Sequence, residues 1–80
     1  MLDLIIIGAI TKKNISVFWL EVQTPTGNLV IQEGHASMII VLSRNQKITF
    51  ALNDITTESM LLRGGLLEIR RTSATIIIDE

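Results

Sequence analysis

A single histidine and a scatter of serines and carboxylates are the first candidates for chemistry in this 80-residue sequence. His35 lies in "IQEGHASMIIVL", between a glycine and two small residues, just ahead of an apolar run. A nucleophilic triad needs a serine, a histidine and an acid to converge in space. His35 could pair with Ser37, Ser43 or Ser59, with Asp54 to orient it, but no spacing selects such a set. A zinc centre would need further strong ligands beside one histidine and distant carboxylates. The paired carboxylates Asp79 and Glu80 lie at the chain terminus, where backbone frays, so they are poorly placed for acid–base work.

Other chemistries lack their residues. There is no cysteine, which excludes a disulfide framework, a thiolate metal site and a cysteine nucleophile. "GNLVIQEG" has neither the spacing nor the Lys-Ser/Thr of a phosphate-binding loop. The net charge is −1, and the basic pairs Lys12-Lys13 and Arg70-Arg71 are too short to track a phosphate backbone. The expectation is a non-catalytic binding or structural domain with no cofactor, no metal and no nucleic-acid partner.

The elements that must hold these residues are strands. Eighty residues make one domain, residues 1–80, and a chain this short buries only about 60% of its unfolded surface. Apolar residues make up 48% of it, and the only aromatics are Phe18, Trp19 and Phe50, so the core is built from Ile, Leu and Val. The apolar run Leu4 to Ile7 is too short for a membrane helix. Asp3 stands where a signal peptide would carry a basic residue. The β-branched triplet Ile5-Ile6-Ile7 reads as a buried strand.

Periodicity predicts strands over Leu2–Ile7, Ile15–Gln23, Leu29–Ile31, Met38–Leu42, Lys47–Leu52, Ser59–Arg63, Leu66–Arg70 and Ala74–Ile78. Turns are expected at Lys12-Lys13-Asn14, "TPTGN", "QEGHAS" and "SRNQ", and a polar loop from Asn53 to Thr57. Phe18, Leu20 and Val22 share one face of the long second strand; if that face is the core set, Val17 and Trp19 form an exposed apolar patch on the other, the alternative for Trp19 being core packing. In Lys47–Leu52, Ile48, Phe50 and Leu52 face in, and Lys47, Thr49 and Ala51 face out. Gly64-Gly65 is placed to bend the chain from one sheet to another. The fold class is therefore all-β, an antiparallel β-sandwich of about eight to ten short strands, with Ile48, Phe50, Leu62, Leu67, Ile69 and Ile77 in the shared core.

At these same residues the chain resembles the N-terminal domain of the epsilon subunit of F-type ATP synthase, whose mitochondrial counterpart is called delta. That family has a long strand, a glycine-containing loop, "GI-x-PGHAPL", several strands, then "SGG-x-LEV" and "VTVLAD". Here "VFWLEVQTPTGNLVIQEGHASMI" matches the first part and "LLRGGLLEIRRTSATIIIDE" the second. Glu33 and Ser37 replace family prolines, which removes two φ-locked positions from the corner, and Asn28 stands where an acidic residue is common. The middle, "SRNQKITFALNDITTE", matches in length more than in identity.

The resemblance implies a non-catalytic rotor part of the central stalk, which couples the c-ring to the gamma subunit and the catalytic head. It implies a peripheral position at the cytoplasmic face of the inner (plasma) membrane, through the complex alone. His35 and Ala36, with Val17 and Trp19, are then candidates for the gamma interface, and Thr26, Gly27 and Asn28 for the loop that faces the c-ring. The helical hairpin that follows this domain in the family has no counterpart in residues 1–80, so coupling is expected without hairpin inhibition or specific nucleotide binding. The alternative is a free-standing β-barrel or sandwich module that binds a ligand or serves as an adaptor.

Overall fold

Alternation decides the first strand: Leu2, Leu4 and Ile6 are buried, while Asp3, Ile5 and Ile7 point the other way. The computed structural model describes all residues, Met1–Glu80, and contains no helix. Nine strands follow one another: β1 (Leu2–Ile7), β2 (Lys12–Val17), β3 (Leu20–Thr24), β4 (Gly27–Ile31), β5 (Met38–Leu42), β6 (Gln46–Ala51), β7 (Thr57–Leu62), β8 (Gly65–Ile69) and β9 (Ser73–Ile78). They form a five-stranded sheet in the order β2-β1-β9-β8-β5 and a four-stranded sheet in the order β4-β3-β6-β7. The two sheets enclose one core of aliphatic side chains and Phe50. This is the sandwich that the strand pattern predicts. All pairings are antiparallel except β1 with β9, the first and last strands, which run parallel side by side.

The chain crosses between sheets four times. At Gly64-Gly65 it does so as expected. Gly64 has φ +154°, and a Cβ on Gly65 would lie 2.5 Å from the Ile77 carbonyl oxygen. Only glycine lets β8 approach β9 that closely. The other crossings are the "QEGHAS" corner, the turn at Arg44-Asn45, and a break at Phe18-Trp19.

That break corrects the expectation of one long strand. The Phe18 N–H donates to the Ala51 carbonyl (2.8 Å), and the Ala51 N–H donates to the Trp19 carbonyl (3.1 Å). Two residues thus face one, which is the count of a β-bulge, and an extra residue exchanges the faces of the strand that follows. Before the bulge Val17 faces in; after it Leu20 and Val22 do. Phe18, placed inside by unbroken alternation, is exposed, and Val17, placed outside, is fully buried. Trp19 is half-buried rather than open. Ala51, expected to face out, is buried where it meets the bulge.

Two smaller corrections follow from the topology. Lys12-Lys13-Asn14 is strand, and the turn it was assigned to falls at Gly8–Thr11. Ile48, Phe50, Leu62, Leu67 and Ile69 are in the core as expected, but Ile77 is not. Ala74, Ile76 and Ile78 are the inward residues of β9, and Ile77 lies on the outer face.

Candidate functional site

The corner at His35 is held by backbone. The His35 N–H donates to the Gln32 carbonyl (3.1 Å), and the Gly34 N–H donates to the Arg71 carbonyl (2.6 Å), which ties the corner to the β8–β9 turn. The half-buried imidazole sets Nδ1 2.7 Å from the Ala36 carbonyl oxygen. A carbonyl only accepts, so Nδ1 carries the proton. The ring thus satisfies a local backbone group rather than a serine or an acid. Ser59, one serine a triad could have used, shares a hydrogen bond with Thr49 (3.1 Å). No cluster of three or more His, Asp or Glu side chains is placed to hold a metal ion.

The second candidate, Thr26-Gly27-Asn28, is the exposed tip of the β3–β4 hairpin. Thr24 closes it: its hydroxyl donates to the Gly27 carbonyl (2.9 Å) and accepts from the Thr26 N–H (3.3 Å). Asn28 donates from Nδ2 to Glu21 across the hairpin (2.9 Å). Strand β4 separates this tip from the His35 corner, so the two candidates do not form one site.

Of the four residues expected at one interface, Ala36 is exposed and His35 and Trp19 are both half-buried at the surface. His35 and Ala36 lead through Ser37 into the edge strand β5. Val17 lies in the core, and Trp19 borders a shallow depression with Met1, Phe18, Gln32 and Glu33.

The main surface feature was missed by alternation. On the outer face of the five-stranded sheet, strand register aligns Ile7 with Ile77, Ile77 with Leu66, and Leu66 with Val41. These four side chains cross four adjacent strands in one row. They are 39%, 53%, 40% and 63% exposed, and Ile39 beside Val41 on β5 is 66% exposed. An apolar residue alone on a surface is ordinary, but a contiguous row marks an interaction face. The signal was present in the sequence. β1 ends "III", β9 ends "III" and β5 reads "MIIVL", so each is apolar on both faces, as a strand covered on both sides must be.

Charges border this row rather than interrupt it. Glu68 and Arg70 form an exposed pair at 3.4 Å, and Lys12 stands opposite Ile7 on β2. At the end of the sheet that carries Ile7 and Ile77, the Glu80 carboxylate closes the β1–β2 loop. It accepts from the Thr11 hydroxyl (2.6 Å), the Ile10 N–H (2.9 Å) and the Thr11 N–H (3.0 Å). The Thr11 hydroxyl, then the Ile10 N–H, hold the Glu80 carboxyl below its ordinary value. This clasp ties the loop after β1 to the residues after β9 and fixes the ends of two strands that carry the row.

Known proteins share this fold. The family model described as the ATP synthase Delta/Epsilon chain, beta-sandwich domain, matches residues 10–80. A chain in the central stalk/c-ring structure of Tetrahymena thermophila mitochondrial ATP synthase is similar at a TM-score of 0.82 and 15% identity, over 99% of this chain and 63% of that one. A chain in the OSCP/F1/c-ring structure of Euglena gracilis mitochondrial ATP synthase gives a TM-score of 0.89 at 15% identity, over 99% of this chain and 51% of that one. The present chain thus spans about half to two thirds of the length of these two. No curated protein sequence matches it.

Proposed function

The chain belongs to the family of ATP synthase delta/epsilon β-sandwich domains, and we propose that it is a non-catalytic part of the rotor, seated in the central stalk. In this reading it joins the gamma subunit to the c-ring and passes rotation toward the catalytic head. It is held at the membrane only through the complex, on the side where the catalytic head lies.

The observation that carries this reading is the apolar row Ile7–Ile77–Leu66–Val41 with Ile39. A stalk subunit must be clamped to its neighbour firmly enough to transmit torque. A sheet face presenting aliphatic side chains from four hydrogen-bonded strands suits that task, because the ladder beneath cannot shear easily. Burying an Ile or Leu side chain from full exposure contributes about 1.5–3 kcal/mol, so five partly exposed ones supply a substantial drive for association. We assign this face to gamma, with His35 and Ala36 at its margin, and the polar hairpin tip Thr26-Gly27-Asn28 to the c-ring.

The reading is tested by reconstitution. Membranes stripped of their own delta/epsilon chain should regain ion-driven ATP synthesis when this chain is added with its cognate gamma. A chain that binds neither gamma nor the c-ring in that assay does not have this function.

A further inference from the structure

We propose that the free edge of β5 is a strand-addition site, at which an extended, uncharged apolar segment of the same stalk partner pairs with Ile39 and Val41 and continues the five-stranded sheet. This rests on the assignment of the outer face to that partner.

Backbone parity fixes which groups are free. In an antiparallel pair the N–H and C=O of a residue point to the same side, and successive residues alternate. The Asp79 N–H donates to the Gly64 carbonyl (3.0 Å), and the Arg70 N–H donates to the Ser73 carbonyl (2.8 Å). Gly64, Leu66, Glu68 and Arg70 therefore turn their backbone toward β9. Gly65, Leu67 and Ile69 turn theirs toward β5, where they stand opposite Leu42, Ile40 and Met38. The backbone groups of Ile39 and Val41 then point away from the sheet. Ser43, next in the same parity, confirms the direction, because its N–H leaves the sheet and donates to the Gln23 carbonyl (3.0 Å).

Exposed edges invite pairing, and proteins usually blunt them with charge or turn residues. Two of the four edges here carry charge: β2 has Lys12 and Lys13, and β7 has Glu58. β5 reads Met-Ile-Ile-Val-Leu, apolar at every position. The core is also open on that side. Met38, Ile40 and Leu29 line a cleft between β5 and the β3–β4 hairpin, whose tip residues Thr24, Thr26, Gly27 and Asn28 form its other wall. A strand added one strand spacing away, roughly 4.8 Å, would cover Met38, Ile40 and Leu29 with one of its faces.

The occupant follows from continuity. The apolar row ends at Val41 because β5 is the last strand of its sheet; β3 reaches this side only at Ser43, so a partner that covers Ile7, Ile77 and Leu66 reaches the free stretch at Ile39 and Val41. Its segment would be apolar on both faces, one against Met38 and Ile40 and the other beside Ile39 and Val41. Main-chain bonds would supply affinity and register, as in other strand-addition complexes.

The test is amide hydrogen exchange on the whole chain, alone at two concentrations and with saturating purified gamma. The Ile39 and Val41 amides should exchange rapidly in the free chain, while Ile40 exchanges slowly. With gamma, both should slow by about 100-fold or more. Val41→Pro, which removes an N–H that no strand of the fold uses, should bind gamma at least tenfold more weakly than Val41→Ala. If gamma binds and shifts Leu66 and Ile77 but leaves Ile39 and Val41 exchanging as in the free chain, strand addition is overturned and the outer-face assignment stands. Absence of gamma binding overturns both. Slow exchange in the chain alone that grows with concentration would assign the edge to a second copy instead.

Discussion

Ala51 and Trp19 are joined by the bond that reverses the second strand: the Ala51 N–H donates to the Trp19 carbonyl at 3.1 Å while Ala51 also faces Phe18. The consequence is that Val17 is core and Phe18 is surface. Phe18→Ala should then change stability by less than about 1 kcal/mol, whereas a core phenylalanine would cost about 3–5 kcal/mol. Ala51→Leu should cost about 1–3 kcal/mol by overpacking. Thermal denaturation of the two variants decides it. A large loss for Phe18→Ala with none for Ala51→Leu would restore the unbroken strand.

Gly65 has no room for a side chain, since a Cβ would meet the Ile77 carbonyl oxygen at 2.5 Å and the Ile78 Cα at 3.3 Å. Both are backbone atoms of the neighbouring strand and cannot rotate away. Gly65→Ala should lower stability by about 1–3 kcal/mol or more, a fall in Tm of roughly 4–8 °C per kcal/mol for a domain of this size. A Tm within a degree or two of the parent would show that β8 and β9 sit further apart.

Glu80 makes stability depend on pH. Its carboxyl is held below the ordinary value of 4.5, chiefly by the Thr11 hydroxyl and then by the Ile10 N–H. A carboxylate with a depressed folded pKa contributes stability that is present above its unfolded value and lost as pH falls through the folded one. The parent should therefore lose stability on acidification below about 4.5 more steeply than Glu80→Ala. The two should converge at the acid end of the range. Parallel curves from pH 7 downward would mean that the clasp is not formed in solution.

Asn28 separates a functional loop tip from a structural one. Its bond to Glu21 is exposed, so Asn28→Ala should change stability by only about 0.5 kcal/mol. If Thr26-Gly27-Asn28 rests on the c-ring, the same variant should lower ion-driven ATP synthesis in reconstituted membranes while leaving gamma binding intact. Unchanged synthesis would remove this hairpin from the c-ring contact.

Most of the architecture was legible because the chain's punctuation is local. β1 and β5 run over the residues that their apolar runs predict, Leu2–Ile7 and Met38–Leu42, and Gly64-Gly65 marks a sheet crossing. Two things were hidden for physical reasons. The break at Phe18-Trp19 contains no glycine or proline; both residues are good strand formers. It arises because β2 and β3 pair in different sheets, a long-range fact with no local signature. Ile77 was misplaced because Ile76, Ile77 and Ile78 are chemically identical, and only register with β1 and β8 decides which faces out. The same ambiguity concealed the outer row, two of whose residues, Ile7 and Ile77, read as buried in the sequence and lie on the surface of the fold.

The assignment of the outer face to gamma is the central claim, and Ile77 tests it most directly. This residue sits mid-row between Ile7 and Leu66, is 53% exposed, and has no role in the core. Calorimetric titration of purified gamma into the parent chain and into Ile77→Glu, with Tm measured for both, gives the answer. A central interface residue replaced by a charge should cost about 2 kcal/mol or more of binding, roughly 30-fold in Kd, with Tm nearly unchanged. Equal affinity for the two chains, at equal stability, would contradict the claim and place gamma on another surface.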